Sequence, residues 1–183
     1  IVTVPRVGYR LVAAQASAPD TVSSTRPGVA VLPFQNLSGD ADAEYFADGI
    51  VADIITALSR FRSLAVLSRN SSFAYRGRTI DTRTIAHDLG AGYLLEGSVR
   101  RSGDRLRITA QLVEGDGGVT LWTNRFDGDL SEIFDFQDRI TESVATLVAP
   151  AIEASELVHS RQQRPESAAT YDLFLRARAY IDD

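Results

Sequence analysis

YLLEGSVRRSGDRLRITAQLV (93–113) is the stretch whose reading decides the fold. In its second half Leu106, Ile108, Ala110 and Leu112 alternate with Arg105, Arg107, Thr109 and Gln111. A period of two is the period of a strand with one apolar and one polar face. Gly103-Asp104 separates this run from YLLEGSVRR and supplies a two-residue hairpin turn. VTLWTNRFD (119–127), reached through EGDGG, adds a third strand. The result is an antiparallel meander with a core on one side only, so other elements must cover that side.

The flanks supply them. VAVLPF (29–34) is a short apolar run ending near Pro33, and LAVLS (64–68) is another; both read as buried strands. Between them Asp40 can cap a helix through about Arg60, on which Phe46, Ile50, Ile54 and Leu58 share a face. Strand, helix and strand make a parallel crossover. SSFAYRGRT reads as a loop, and DTRTIAHDLGAG as a short helix that begins near Asp81 or Thr82 and is closed by Gly90 or Gly92. Residues 130–158 read as the longest helix, opened by Asp129 and Glu132 at capping-box spacing. Its stripe is Ile133, Phe136 or Gln137, Ile140, Val144, Leu147 and Val148, and Pro150 is expected to kink or divide it. The fold class is α/β: a compact domain of two or three layers over residues 28–158. Its mixed sheet combines a β-α-β crossover with the meander and is packed by the long C-terminal helix.

Outside this body, residues 14–27 (AQASAPDTVSSTRP) read as a linker reaching on the order of 20 Å if flexible. HSRQQRPESA (159–168) reads as a polar hinge, and 169–183 as a trailing amphipathic helix carrying Tyr171, Phe174, Leu175 and Tyr180. The chain starts on IVTVPRVGYRLV, the second half of a hairpin, without Met, and stops inside a helical pattern. The expectation is a piece of a longer protein.

Composition bounds the function. Of 183 residues 44% are apolar and 23% charged, a globular balance. No apolar run approaches the ~20 residues that span a bilayer, so no membrane partner and a cytoplasmic location are expected. Cysteine is absent, which removes disulfides and thiolate zinc sites and suits a reducing compartment. The formal net charge of −5 argues against nucleic-acid binding by the bulk of the chain.

No catalytic, cofactor or metal residue stands out. Asp40, Asp42, Glu44 and Asp48 cluster near Gly39 and Gly49 but do not fit the calcium-loop template, and the preferred reading is helix capping. No Lys follows Gly39, so it opens no phosphate loop. Only His87 and His159 occur, far apart; His87 is expected to face solvent. Ser68, Ser71, Ser98 and Asp135 have no spacing to a base. Trp122 and Phe126 are expected to anchor the core. Arg100, Arg101, Arg105 and Arg107 straddle the hairpin, and Thr109, Gln111 and Arg125 extend the same face. Such a face meets an anion or an acidic partner, or merely keeps the hairpin soluble.

VAVLPFQNLSGDADAEYFADGIVADIITALSR, LEGSVRRSGDRLRITAQLV, LWTNRFDGDLSEIFDFQDRI and RPESAATYDLFLRARAY, in that order, resemble the TolB amino-terminal-like domain with the start of a tetratricopeptide region. That resemblance implies a compact α/β domain without assigned catalytic residues, set between an upstream signalling module and helical repeats. In IVTVPRVGYRLV, Thr3, Val4, Gly8, Tyr9 and Arg10 match the last strand and wing of an OmpR-type winged helix, with Pro5-Arg6 at the wing tip in place of Arg-Gly. The resemblance implies that residues 1–13 end a DNA-binding domain, with Arg6 near a groove and Thr3 near the phosphates, contacts that position rather than specify. The expected function is a non-catalytic sensor, spacer or oligomerisation domain of a bacterial transcriptional regulator. DNA would be bound upstream and a protein partner through downstream repeats, and homo-oligomerisation is compatible with the role. The same domain also accompanies class III adenylate and guanylate cyclases, which is the alternative reading.

Overall fold

The computed structural model describes residues 26–162, Thr79 excepted. Strand β1 (Gly28–Val31) is followed by a second short strand, β2 (Gln35–Asn36), then helix α1 (Ala41–Leu58) and β3 (Ala65–Val66). Helices α2 (Arg69–Phe73) and α3 (Thr82–Leu89) lead into the meander β4 (Tyr93–Ser102), β5 (Arg105–Glu114) and β6 (Thr120–Asp129). A 3-10 turn (Leu130–Glu132) then opens helix α4 (Ile133–Gln162). The sheet runs β3-β1-β4-β5-β6, with β2 paired to β4 beyond β1. It is mixed: β1 and β2 are parallel to β4, β1 is parallel to β3, and the meander is antiparallel.

The apolar run 29–34 is therefore strand only as far as Val31, and β2 begins beyond it at Gln35. Pro33 has no N–H to give a ladder, and the strand bulges around it: Val31 lies beside Leu95, but Gln35 lies beside Ser98. The ladder is kept on either side, Leu32 N–H bonding to Leu95 O and Leu37 N–H to Val99 O, each 2.8 Å. The bulge turns Phe34 into the core, and Gly97 makes room for its ring: a Cβ there would stand 2.9 Å from the ring and 2.5 Å from Thr109 O.

The meander has the expected alternation. Leu95, Val99, Leu106, Ile108, Ala110 and Leu112 are buried on one face. Helices α1 and α4 cover that face, and α1 uses the expected stripe of Phe46, Ile50, Ile54 and Leu58. On α4 the buried residues are Phe136, Ile140, Val144, Val148 and Ile152, so Phe136 takes the core position. Its neighbour Gln137 instead donates to Asp53 of α1. Leu147, expected in the stripe, is exposed. Among the described residues the opposite face is covered only at the β1 end, where Ile85 and Ala86 of α3, with Tyr75 and Ile80, pack on Ala30, Leu32 and Leu94. The domain has three layers at one end and two at the other.

Three elements differ from the sequence reading. Residues 71–73, the start of the expected loop, instead fall in α2, because Ser68 Oγ accepts from Ser71 N–H and caps the turn. Helix α4 runs unbroken through the exposed Pro150 and on to Gln162, four residues into the expected hinge. Asp129 does accept from Ser131 N–H at 3.0 Å, but the turn it caps is the 3-10 turn that precedes α4. The remainder of the hinge, the linker up to residue 25 and the trailing helix lie outside the described residues.

Candidate partner-binding face

The two-residue turn sets the site. Gly103 has φ of 61° at the first central position, as a type II′ turn requires. Register then follows pair by pair: Ser102 opposite Arg105, Arg100 opposite Arg107, Ser98 opposite Thr109 and Glu96 opposite Gln111. Across β6, Arg107 lies opposite Asp127 and Thr109 opposite Arg125. Side chains of such pairs share one face. Arg100, Arg105, Arg107 and Arg125 thus stand together on the face that no described helix covers beyond β4, joined by Thr109 and Gln111 as expected.

Arg101 does not belong with them. It lies opposite Leu106, on the helix-covered face, so adjacent arginines point to opposite sides of β4. Its Nη1 donates to Asp40 Oδ2 at 2.7 Å and its Nε to Gly103 O at 3.0 Å. Asp40 also accepts from Asp42 N–H at 3.1 Å and so caps α1. Asp48 and Glu44 bind Arg76, Asp48 also lies 3.6 Å from Arg69, and Asp42 lies 3.6 Å from Arg101. The acidic cluster caps a helix and ties down the segment after α2.

On the open face Arg107 Nε donates to Asp127 Oδ1 at 2.6 Å, and Arg125 Nε lies 3.3 Å from Asp127 Oδ2. The hydrogen bond from Arg107, then the charges of Arg107, Arg125 and Arg105, hold the Asp127 carboxyl below the usual carboxylate range. Arg100 and Arg105 are exposed and form no ion pair with any described residue. They border a shallow depression of about 470 Å³ that Arg107, Asp127 and Asp129 complete.

A second and larger depression, about 680 Å³, adjoins it under residues 75–80. Tyr75, Arg78 and Ile80 form its rim, and Ser98, Thr109 and Gln111 its floor. Gln111 donates to Glu96, and Thr82 Oγ1 lies 3.4 Å from the other oxygen of the same carboxylate. No spacing in the sequence announces this groove, because its rim and floor are about 20 residues or more apart and meet only through the crossover. Its polar lining can orient a ligand by hydrogen bonds, while Tyr75 and Ile80 offer apolar contact.

The remaining candidates lie elsewhere. His87 is exposed, 3.8 Å from Asp88. His159, within α4, lies 3.1 Å from Glu114. Trp122 and Phe126 face the helices and pack against the core, but only half-buried, because β6 is the sheet's edge. Ser68 caps α2, and Ser71 bonds to it at 3.0 Å. Thr3 and Arg6 lie outside the described residues.

Among the described residues, the fold and this face define a mixed α/β domain that offers one bare, arginine-bearing sheet surface. The chain belongs to the HilA/YgeH-like transcriptional regulator second-domain family, whose model matches residues 25–143. It is 43% identical over 166 residues to the Rhizobium meliloti (strain 1021) protein named "Putative adenylate cyclase 3". That match takes in 91% of the chain but 28% of the relative's length. Among solved structures the chain is similar to lipoprotein GNA1162 from Neisseria meningitidis, with a TM-score of 0.47 at 19% identity, over 56% of the chain and 79% of that protein. It is also similar to TolB from Acinetobacter baumannii, with a TM-score of 0.47 at 17% identity, over 67% of the chain and 28% of that protein. Among the described residues no helix is long and apolar enough to cross a membrane.

Proposed function

We propose that residues 28–158 are the central domain of a bacterial DNA-binding transcriptional regulator, serving as sensor, spacer or oligomerisation platform. Residues 1–13 would complete an upstream winged helix, with Arg6 and Thr3 positioning it on DNA, and residues 169–183 would begin tetratricopeptide repeats that recruit a protein partner. The observation that carries this reading is membership in a family of regulator second domains, matched over residues 25–143. The bare face gives the role a physical site. Arg100 and Arg105, without ion-pair partners among the described residues, suit an acidic surface or an anionic effector, with Arg107 and Arg125 beside them. Arg supplies a planar fork of donors for carboxylate or phosphate. An effector would act by binding one arrangement of the modules better than another.

The test is charge reversal in the parent protein. Arg100→Glu with Arg105→Glu should abolish the regulated transcriptional response while DNA affinity stays unchanged, since neither residue lies in the DNA reader. An unchanged response would reduce the face to a solvated surface.

A second reading is favoured by the 43% identity to a protein named as an adenylate cyclase. Under it the same domain regulates an upstream catalytic module, the parent turns ATP into cyclic AMP and pyrophosphate, and the reversal changes that rate instead.

A further inference from the structure

The geometry points to β6 as a docking edge for a second copy of this chain, paired antiparallel about Phe126 so that Arg125 of each copy lies opposite Asp127 of the other. This rests on and deepens the oligomerisation role proposed above, and it holds for either parent protein.

Backbone parity comes first. The two-residue turn Gly103-Asp104 makes Ser102 and Arg105 a hydrogen-bonded pair, so odd residues of β5 direct their N–H and C=O groups at β4 and even residues at β6. Glu114 N–H bonding to Val119 O at 2.9 Å, and Leu130 N–H to Asp104 O at 2.8 Å, fit that parity. The even residues Trp122, Asn124, Phe126 and Gly128 lie opposite the even residues of β5. The odd residues Thr123, Arg125, Asp127 and Asp129 therefore direct their backbone groups away from the sheet. Arg125 N–H indeed bonds to its neighbour's side chain, Asn124 Oδ1, at 2.9 Å. That side chain is the edge's stopper, and rotation about its χ angles frees the N–H.

Among the described residues nothing pairs with this ten-residue edge. Long unpaired edges are templates for another strand. A two-fold axis makes such a pairing self-limiting, because each copy uses the same edge.

Charge then selects the register. Outward-facing residues must pair with outward-facing residues. With the axis at Phe126, Arg125 meets Asp127 of the second copy, twice by symmetry, and Thr123 meets Asp129. Moving the axis one residue either way sets Arg125 against Arg125 or Asp127 against Asp127, like charges directly opposite, which destabilise a pair. Within one chain Arg125 already lies 3.3 Å from Asp127, so the carboxylate is placed to accept from both copies. On the other side of the strand the axis brings Phe126 against Phe126, and these half-buried rings gain the cover that the edge denies them.

The chain has no cysteine, so introduced thiols report the register directly. A disulfide needs Cα atoms within ~7 Å, and directly opposed residues of antiparallel strands lie ~4.5–5.5 Å apart. Under mild oxidation of the 183-residue chain, Phe126→Cys should cross-link to itself, whereas Arg125→Cys and Asp127→Cys should not. An equimolar mixture of Arg125→Cys and Asp127→Cys chains should give the mixed dimer several-fold above either self-dimer, and this arm leaves Phe126 intact. Arg125→Asp, without cysteine, should shift sedimentation toward monomer. Self-linking at 125 or 127 would overturn the register. A chain monomeric at every concentration, with no cross-link at any position, would overturn the pairing itself, and protection of β6 amides in such a monomer would assign the edge to another segment of the same chain.

Discussion

At the scale of single residues, packing around Gly97 and Tyr93 decides more than composition shows. Gly97 is required by space rather than by φ. Its missing Cβ would collide with a backbone oxygen, which cannot swing aside, and with the Phe34 ring. Gly97→Ala should cost about 1–3 kcal/mol in urea unfolding. Tyr93 is buried, and its hydroxyl donates to Glu156 Oε1 at 2.7 Å, tying β4 to the last turns of α4. Burial chiefly pushes this hydroxyl up to about 12, with the Glu156 carboxylate adding to it. The folded-state value lies above the ordinary 10, so the contribution is complete below pH 10 and is lost as pH rises from 10 towards 12. Tyr93→Phe should cost about 1 kcal/mol at neutral pH and flatten this part of the alkaline decline in stability, as chemical denaturation across that range would show. Some of this scale was legible. The alternation in 105–112 put Arg105 and Arg107 on the open face, and carrying the same parity across the turn separates Arg100 from Arg101. The Phe34–Gly97 contact was not legible, because it depends on the bulge at Pro33.

At the scale of elements, local signals explain both what was readable and what was missed. The cap at Asp40, the Gly90 stop with φ of 62° and the period-two strands are nearest-neighbour chemistry, and they fold as expected. Helix α2 escaped because five residues are too few for periodicity, leaving only the Ser68 cap as a signal. Pro150 failed to divide α4, whose buried residues Val148, Ala149 and Ile152 hold both sides of it to the core. Asp40 combines a cap with an ion pair to Arg101, and two variants separate these roles. Asp40→Ala should cost about 1–2 kcal/mol in thermal or urea unfolding. Asp40→Asn, which keeps a capping oxygen and loses the charge, should cost clearly less. Ile140→Ala, at the centre of the α4 stripe, should cost about 2–5 kcal/mol through lost burial and the cavity left behind.

At the scale of the whole molecule, a chain with formal net charge −5 gathers four arginines on the sheet surface that no described helix covers, and among the described residues that sheet ends in an unpaired edge. The α/β class and mixed sheet were legible because hydrophobic period and turn chemistry act over a few residues. The groove under residues 75–80 was hidden, since its rim and floor meet only in three dimensions. Membership in the regulator second-domain family supports the proposed role. The most direct test is DNA affinity of the parent protein as a function of salt, with ATP turnover followed in the same preparations. The account predicts DNA binding that weakens steeply and linearly in log–log form as salt rises, without cyclic AMP production. Salt-independent or absent DNA binding accompanied by cyclic AMP and pyrophosphate would contradict it.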